Sequence, residues 1–240
     1  MYYFRCIIPN DRKICLYDTT TNTTTTTNII VNNDNDDDYG EHTIIKYQDK
    51  DNDIHAITLY DLGLRHNFTY TKRLVFLQES HYRNCYLNSL NEDCCDSDLI
   101  SLDGIDDVLS NGLISNDIII KYIDDVVNFG LFADGDFVSG LILGEYVGLL
   151  VPFSSHDKPS GYGMNYPCGD DSYEINAYDF GNVIRFINHS TTPNCDFRKV
   201  FYEGLVHIVC TTISDIKKGD QMTVNYGKSY WLARNEEDRK

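Results

Sequence analysis

The stretch at positions 185–190 constrains the fold more than any other part of the chain. An apolar Phe-Ile pair is followed directly by three side chains that form hydrogen bonds, Asn188, His189 and Ser190. A surface loop gains nothing from the apolar pair, and a core strand cannot bury three polar side chains in a row without partners. The pattern predicts a buried polar site that faces a ligand, although a hydrogen-bonded turn at a strand end would fit the triplet alone.

Short strands separated by tight turns fill most of the second half of the chain. Turn signals recur at 134–136, at Glu203-Gly204 and at 217–220. Strands are predicted at Phe129–Ala133, Leu141–Val147, Tyr173–Ala177, Phe197–Tyr202 and Leu205–Thr211, with a long polar loop at 154–172. The last two strands, joined by Glu203-Gly204, predict a hairpin. Because hardly any long helix is present, the pattern predicts a mostly β domain of the α+β class.

The chain is acidic and long enough to bury a substantial core. It has 240 residues, a hydrophobic fraction of 42% and a formal net charge of −17. A protein that grips a phosphate backbone needs clustered Lys and Arg, so direct nucleic-acid binding is not expected. The charge is compatible with a Lys-rich protein partner, and it also favours solubility. Nothing in the composition indicates an oligomeric state.

The cysteines indicate free thiols in a reducing compartment and no zinc site. None of the eight lies at the two- to four-residue gap of a structural zinc knuckle, and Cys94 and Cys95 are adjacent. The N-terminus lacks the basic region and apolar run of a signal peptide, and no apolar run approaches the ~18–20 residues that span a bilayer. We therefore expect a soluble intracellular protein in the nucleus or cytoplasm, or one delivered into a host cell by a virus or bacterium, with no membrane partner.

The first half of the chain carries no metal, phosphate or nucleophile motif. A strand is expected around Cys6-Ile7-Ile8, and residues 18–40, rich in Thr, Asn and Asp, are expected to be flexible. β-type runs are predicted at Thr43–Tyr47, Ile57–Leu62 and Leu74–Leu77, and a short helix at Asp96–Leu109 that ends at Asn111-Gly112. These signals divide the chain into four parts, at 1–41, 42–115, 116–231 and 232–240. The second part is an accessory region of unknown role.

Four histidines of the first half are isolated in the sequence. They are His42, His55, His66 and His81. Each is expected to be a surface or hydrogen-bonded residue, since a ligand set would need further His, Cys, Asp or Glu at suitable spacing.

Four blocks of the second half resemble the SET-domain family of protein lysine methyltransferases. The first contains Gly130-Leu131-Phe132-Ala133, Gly140 and 144–148. The second runs from 175 through Gly181-Asn182 and Arg185–Ser190 to Pro193-Asn194, the third is 215–223, and the fourth is 224–227 with Tyr230-Trp231. Each block alone is a weak signal. Together they occur in the family's order at plausible spacing over about residues 125–231.

The resemblance implies a SET-type fold of short strands with a C-terminal pseudoknot. In that fold the closing strand threads past the segment after Asn188-His189, which brings Asn188, His189 and Tyr226 together. It also implies S-adenosylmethionine as cofactor and a lysine substrate that enters a narrow channel from the opposite face. Histone tails are the expected substrate class, since they are Lys-rich and suit an acidic partner.

The resemblance also assigns residues to the chemistry. Methyl transfer to an amine needs alignment and a neutral lysine, whose free pKa is about 10.4. A tyrosine hydroxyl can orient that amine, and by resemblance Tyr226 is that catalytic residue, with Tyr166 as a second channel tyrosine unless Tyr162 takes its place. The expected cofactor-binding residues are Asn128, Phe129, Gly130, Asn188, His189 and Trp231, with Tyr230 as the alternative to Trp231. Arg185 is a further candidate, although a structural ion pair with Glu145 or another carboxylate is its favoured role.

Three departures from the family pattern affect these expectations. Asn128 stands where many members have glycine, but Asn tolerates unusual backbone angles. Thr191 replaces a common cysteine and no cysteine follows Tyr226, so no metal is implied. Val224 stands where some members carry the Phe or Tyr that limits the number of methyl groups, and it leaves that number open.

Two other functions fit the same residues. The enzyme could act on a non-histone protein, or the chain could be a non-catalytic SET-like module that binds a peptide. The altered position Asn128 favours such a module, whereas the intact Asn188-His189-Ser190 and Tyr226 favour an enzyme.

Overall fold

Short strands dominate the computed structural model, which describes residues 15–17, 29–31, 43–76, 78–88, 105–111, 115, 117–153, 161–168, 171–202 and 204–232. The strands of the first half are β1 (Cys15–Tyr17), β2 (Ile29–Val31), β3 (Ile44–Gln48), β4 (Ile54–Thr58), β5 (Thr69–Tyr70) and β6 (Val75–Phe76). Those of the second half are β7 (Ile118–Asp124), β8 (Asn128–Ala133), β9 (Ile142–Glu145), β10 (Leu149–Pro152), β11 (Gly163–Cys168), β12 (Asp171–Asn176), β13 (Phe180–Gly181), β14 (Asn188–His189), β15 (Cys195–Tyr202), β16 (Leu205–Thr212) and β17 (Thr223–Val224).

The described helices are short. They are α1 (Leu59–Arg65), α2 (Glu79–Asn88), α3 (Ile105–Asn111), α4 (Gly227–Leu232) and a 3₁₀ helix at Val183–Phe186. None of those in the described ranges has the length and apolar character needed to cross a membrane. The predicted mostly β fold class is confirmed.

Two of the sheets join strands from both halves of the chain. The order β4-β3-β7-β8 places β3 parallel to β7, with Lys46 opposite Ile119. The order β11-β12-β10-β6-β1-β2 places β6 parallel to β10, with Val75 opposite Leu149. The expected boundary at about 115 therefore falls between elements that share hydrogen-bonded sheets.

One apolar core also runs through both halves. Leu62 and Phe76 from the first half and Leu131, Ile175 and Ile184 from the second lie in the same buried cluster, each at most 2% exposed. Burying a side chain of this size contributes about 1.5–3 kcal/mol. The accessory region thus packs directly against the part of the chain that carries the sequence motifs.

The segment predicted as a β run at Ile57–Leu62 is instead the junction of a strand and a helix. Strand β4 ends at Thr58, whose hydroxyl accepts a hydrogen bond from the backbone N–H of Asp61 at 3.0 Å and caps α1. The prediction was wrong because this Thr-x-x-Asp cap, which is a helix start signal, lies inside an apolar run that favours a strand.

The long polar loop predicted at 154–172 is also corrected. Within it, β11 pairs antiparallel with β12, Tyr166 opposite Tyr173. The buried residues Tyr166 and Cys168 alternate with the more exposed Asn165 and Pro167, which is the period of a half-buried strand. Residues 154–160 and 169–170 lie outside the described residues.

Other sequence expectations have mixed outcomes. The hairpin is confirmed as β15 and β16, with Gly204 in its turn at φ +86°. Ile29–Val31, inside the segment expected to be flexible, forms a strand with β1, because it is an apolar β-branched run between polar tracts. Helix α3 covers the end of the predicted helix and ends at Asn111 as expected. The expected strand at Cys6–Ile8 and residues 96–104 lie outside the described residues.

Candidate active site

Two distant segments of the chain run side by side at the candidate site. Strand β14 pairs parallel with β17, Asn188 opposite Thr223 and His189 opposite Val224. The N–H of Ser190 continues the ladder by donating to the carbonyl of Val224 at 2.9 Å. The polar triplet found in the sequence is therefore held by backbone pairing with the closing strand.

Asn194 fixes this pairing of β14 with β17, which we call the crossing, with both ends of its amide. Its Nδ2 donates to the carbonyl of Gln221 at 2.8 Å, and its Oδ1 accepts from the N–H of Thr223 at 2.9 Å. The amide thus bonds to the backbone before and after Met222, as a neighbouring strand would. Met222 itself is fully buried. An amide is suited to this position because it is both donor and acceptor.

Tyr226 is anchored at both its backbone and its hydroxyl. Its N–H donates to Nδ1 of His189 at 3.1 Å, which leaves the imidazole proton on Nε2 when the ring is neutral. Its hydroxyl donates to the carbonyl of Ile187 at 2.8 Å. The phenol is half-buried, and the lone pairs of its oxygen remain acceptors for a donor that approaches it.

An aromatic cluster formed by His189, Tyr226, Tyr230 and Trp231 covers one side of the crossing. The ring of His189 lies 5.5 Å from Tyr226 and 5.1 Å from Trp231, measured between centroids. The rings of Tyr226 and Trp231 are nearly parallel at 6.4 Å. Helix α4 therefore brings Trp231 next to His189 and Tyr230 next to Tyr226.

The segment Asn128-Phe129-Gly130 lies on the other side of Asn188. Nδ2 of Asn188 donates to the carbonyl of Phe129 at 3.0 Å. Asn128 adopts the left-handed conformation at φ +64°, so the turn exists without the glycine of the family pattern. A Cβ on Gly130 would lie 2.6 Å from Gln221 Nε2 and 3.0 Å from Asn188 Nδ2, so the glycine allows these two side chains to pack closely against the backbone.

Tyr146 also lies near Tyr226, although the sequence assigned it no role. Its phenol is buried, and burial raises its pKa, with a further increase from the neighbouring Tyr226. Its hydroxyl donates to the carbonyl of Tyr162 at 2.6 Å. The residue follows Gly144-Glu145 in one of the blocks that carry the family resemblance, and that position was the only available signal.

The second predicted channel tyrosine, Tyr166, is a core residue of β11. It is 3% exposed and lies opposite Tyr173. Its alternative Tyr162 is half-buried, and its carbonyl rather than its hydroxyl meets Tyr146.

Arg185 does not pair with Glu145, so that expectation was wrong. The carboxylate of Glu145 instead lies 2.7 Å from Nδ1 of His207, with both side chains buried. Arg185 donates from Nε to the carbonyl of Ala177 at 2.8 Å and from Nη2 to that of Tyr178 at 3.3 Å. The predicted ion pair failed because a neighbouring strand supplies the partner of Glu145.

The structure brings most of the predicted site residues into one neighbourhood. Asn188 links the segment 128–130 to the crossing, and the crossing carries His189, Tyr226 and Trp231. Within the described ranges, no three His, Cys, Asp or Glu side chains converge to hold a metal ion. The arrangement offers amide, imidazole, phenol and backbone groups around an aromatic surface.

Comparisons with known proteins identify the same region. A family profile for the SET domain matches residues 128–227. Human histone-lysine N-methyltransferase 2B is 34% identical over 103 residues, which are 40% of this chain and 4% of that protein. The H3 lysine-4 specific histone-lysine N-methyltransferase of Emericella nidulans is 33% identical over 106 residues, 41% of this chain and 9% of that protein. The chain therefore spans only a small part of the length of these relatives.

Solved structures show the same fold over a longer stretch. ATXR5, in a complex with methylated histone H3.1, superposes with a TM-score of 0.56 and 16% identity, over 70% of this chain and 85% of that one. A second structure of ATXR5 gives a TM-score of 0.55 and 17% identity, with similar coverage. The expected SET-type fold is confirmed, and the likeness extends beyond the residues that match the family profile. The chain therefore carries a SET domain at residues 128–227.

Proposed function

We propose that this chain is a protein lysine methyltransferase that uses S-adenosylmethionine and acts on a histone. The observation that carries the proposal is the double anchoring of Tyr226 at the crossing, by His189 and by the carbonyl of Ile187. A phenol held in this way cannot turn, and it presents a fixed acceptor to an incoming amine. Such orientation is the main contribution a protein can make to a displacement reaction.

The channel tyrosines keep the substrate lysine neutral and aligned. A lysine ammonium, with a free pKa of about 10.4, must lose a proton before its nitrogen can attack. The phenol of Tyr146 is uncharged near pH 7, as an ordinary tyrosine is, and burial raises its pKa further, so it adds no negative charge that would favour the ammonium form. Tyr226 then accepts an N–H of the amine and directs its lone pair. We assign the role of second channel tyrosine to Tyr146. Tyr166 is the alternative.

The residues around Asn188 fit the cofactor. When bound, S-adenosylmethionine supplies an electrophilic methyl group on a sulfonium. The backbone of 128–130 lies beside Asn188, which offers amide groups, and His189 offers backbone and ring groups. Trp231 presents an aromatic face that can stack on a purine.

A histone substrate is supported by charge and by the relatives. The relatives named above are histone-lysine N-methyltransferases, and the net charge of −17 favours a Lys-rich partner. A histone substrate would place the enzyme in the compartment that contains chromatin. The competing reading as a non-catalytic module rested on Asn128, and the left-handed conformation of Asn128 removes that support.

The proposal is tested by transfer of a labelled methyl group from S-adenosylmethionine to core histones. Tyr226→Phe removes the oriented hydroxyl, and we expect the rate to fall about 100-fold or more, as for loss of other preorganised polar groups. Tyr60→Phe, on the exposed face of α1, is the matched control and should retain the wild-type rate. Label on non-histone proteins alone would overturn the histone assignment. Absence of both transfer and cofactor binding would overturn the methyltransferase assignment.

A further inference from the structure

Strand β4 is an unprotected edge of the sheet that joins the two halves of the chain. It stands at the end of the order β4-β3-β7-β8 and pairs, among the described strands, with β3 alone. None of its residues is Lys, Arg, Asp, Glu or Pro. Proteins usually protect such an edge, because its unpaired backbone groups bind other chains.

Three other sheet edges in the described part of the chain carry the usual protection. The free side of β8 is covered by the segment 219–222, and the N–H of Ala133 donates to the carbonyl of Asp220 at 2.9 Å. Strand β11 contains Pro167, and β15 contains the exposed Lys199. Proline and charged side chains both disfavour pairing with a further strand. The edge at β4 therefore differs from these three.

The hydrogen-bond pattern shows which backbone groups of β4 face outwards. At the end of the hairpin, the N–H of Leu59 donates to the carbonyl of Thr43 at 2.9 Å. Bonded pairs alternate along an antiparallel ladder, so Ile57, two residues earlier, also bonds to β3. Ile54 and Ala56 lie at the alternate positions. Their N–H and C=O groups therefore point away from β3, towards the free edge.

The same two residues present exposed side chains. Ile54 is 64% exposed, whereas Ile57 on the opposite face of the strand is 6% exposed. Ala56 is exposed and lies opposite Lys46, two residues from Ile44, which is 58% exposed. Opposite residues and residues two apart share one face of a sheet. A strand added at β4 would therefore gain backbone hydrogen bonds and cover exposed apolar side chains at once.

The charges at both ends of β4 are negative. Three exposed carboxylates flank the strand, and they are Asp51, Asp53 and Asp61. The two lysines of the β3–β4 hairpin are already engaged, since Lys46 pairs with Asp134 and Lys50 pairs with Asp125. An added strand with Lys or Arg at its two ends would meet opposite charge at both ends of β4.

A second copy of β4 fits this edge less well. Antiparallel pairing of two copies, with Ala56 on the two-fold axis, would join the outward backbone groups. It would also bring Asp51 and Asp53 of one copy to the end of the strand where the other copy carries Asp61. Like charges at facing positions of paired strands are destabilising. Charge therefore favours a basic partner over self-association.

We propose that β4 is a docking edge for an extended, basic segment of another protein, which joins the sheet as a fifth strand. The central residues of that segment would be apolar or uncharged, and its ends would carry Lys or Arg. Neighbouring strands lie about 4.8 Å apart, so the added strand would lie about 19 Å from β8. This edge is outside the SET domain at residues 128–227, and binding there does not depend on the proposed function.

Fluorescence anisotropy of the full chain with two labelled peptides tests this edge. The probe peptide has alternating Val and Thr in its centre and two Lys at each end, and the control peptide has Glu in place of Lys. We expect the Lys peptide to bind about tenfold or more tightly at low salt, because like charges across an interface are costly. High salt should reduce this difference.

Ala56→Pro removes the outward N–H, which β3 does not use, and proline is tolerated at such a position of an edge strand. Binding of the Lys peptide should weaken about fivefold or more, as for loss of one hydrogen bond. Ala56→Thr retains the N–H and is the matched control, with the wild-type affinity expected. Urea denaturation checks that both variants fold. Ile54→Lys, at an exposed position, should also weaken binding of the Lys peptide, and it serves as the second variant if Ala56→Pro unfolds the chain.

Three results would overturn this proposal. They are absence of binding by the Lys peptide, equal binding of both peptides, and binding that neither Ala56→Pro nor Ile54→Lys weakens. Sedimentation of the wild type as a dimer that Ala56→Pro dissociates would assign the edge to a second copy and overturn the basic partner. Each of these results leaves the proposed methyl transfer standing, since none of them measures cofactor binding or turnover.

Discussion

Two histidine–carboxylate pairs with the same separation show how the SET domain and the accessory region differ. His207 and Glu145 lie 2.7 Å apart with side chains 10% and 3% exposed, whereas His55 and Asp49 lie 2.7 Å apart with side chains 40% and 28% exposed. The first pair joins two strands of the SET domain, and the second closes a turn within one hairpin. Equal geometry therefore carries different energetic weight, because solvent screens the second pair and not the first.

The comparison indicates what each region contributes. The SET domain buries polar groups that lock distant segments together, among them Asn182, Asn194 and Glu145. Most polar groups of the accessory region lie near its surface and stabilise local turns. His66 and His81 differ, since each is half-buried with its ring packed against aromatic residues of the SET domain.

The largest expected effect comes from removing one member of each pair. His207→Leu leaves the buried carboxylate of Glu145 without its partner, and we expect the free energy of unfolding to fall by about 3–5 kcal/mol. His55→Leu should change it little, since Asp49 stays in contact with water. Urea denaturation of both variants measures the difference. Similar destabilisation by the two substitutions would break the comparison.

A smaller effect is expected from His66 as pH falls. Its folded-state pKa, about 4, lies below the ordinary value of 6.5, so protonation favours the unfolded chain. The stabilising contribution is complete above pH 6.5 and is lost as pH falls towards 4, by about 2 kcal/mol after allowance for partial exposure. His66→Phe should flatten the curve of unfolding free energy between these limits. The two curves should run parallel above pH 7, and parallel curves throughout would contradict the prediction.

The smallest expected effect concerns Asp134, which links the two regions at the surface. It pairs with Lys46 of β3 and with Lys218 of the SET domain, and the hydrogen bond from Lys46 followed by that from Lys218 lowers its pKa below 3.8. Its contribution is therefore present above pH 3.8 and is lost as pH falls through the lowered value. Asp134→Asn should lower the Tm slightly at pH 7.

High salt and low pH test whether Asp134 stabilises the fold through its ion pairs or through packing. In 0.5 M salt, or as pH falls well below 3.8, the Tm values of Asp134→Asn and the wild type should converge, because the charges are screened or the carboxyl becomes protonated. Differential scanning calorimetry under these conditions measures the Tm of the variant and of the wild type. A difference that persists in salt and acid would show that Asp134 acts through packing.

The sequence predicted those parts of the fold that depend on neighbouring residues. The β15–β16 hairpin follows from two β-rich runs around Glu203-Gly204, and α3 ends where Asn111-Gly112 predicted. The errors came from competing local signals. The Thr58 cap lay within an apolar run, and the alternation around Tyr166 lay within a polar stretch.

The candidate site was only partly predictable for a different reason. Asn188, His189 and Tyr226 were found because the family resemblance connects segments that local patterns cannot. Tyr146 stood in a matching block, but no local pattern shows that its phenol lies near Tyr226. His66 carried no motif at all, and it was expected only to be a surface or hydrogen-bonded histidine, whereas its ring is half-buried. Its burial depends on rings from three separate segments, at Tyr47, Phe129 and Phe186.

The sequence by itself determined the positions of most strands and turns and the residue types available for chemistry, since backbone preferences and side-chain patterns act over a few neighbouring positions. Only the tertiary structure decided which polar groups lose contact with water and which meet each other. It paired His207 with Glu145, left Arg185 without an ion-pair partner among the described residues, and placed His66 beside the SET domain. Burial and charge pairing depend on atoms from many segments at once, so no single stretch of sequence contains them.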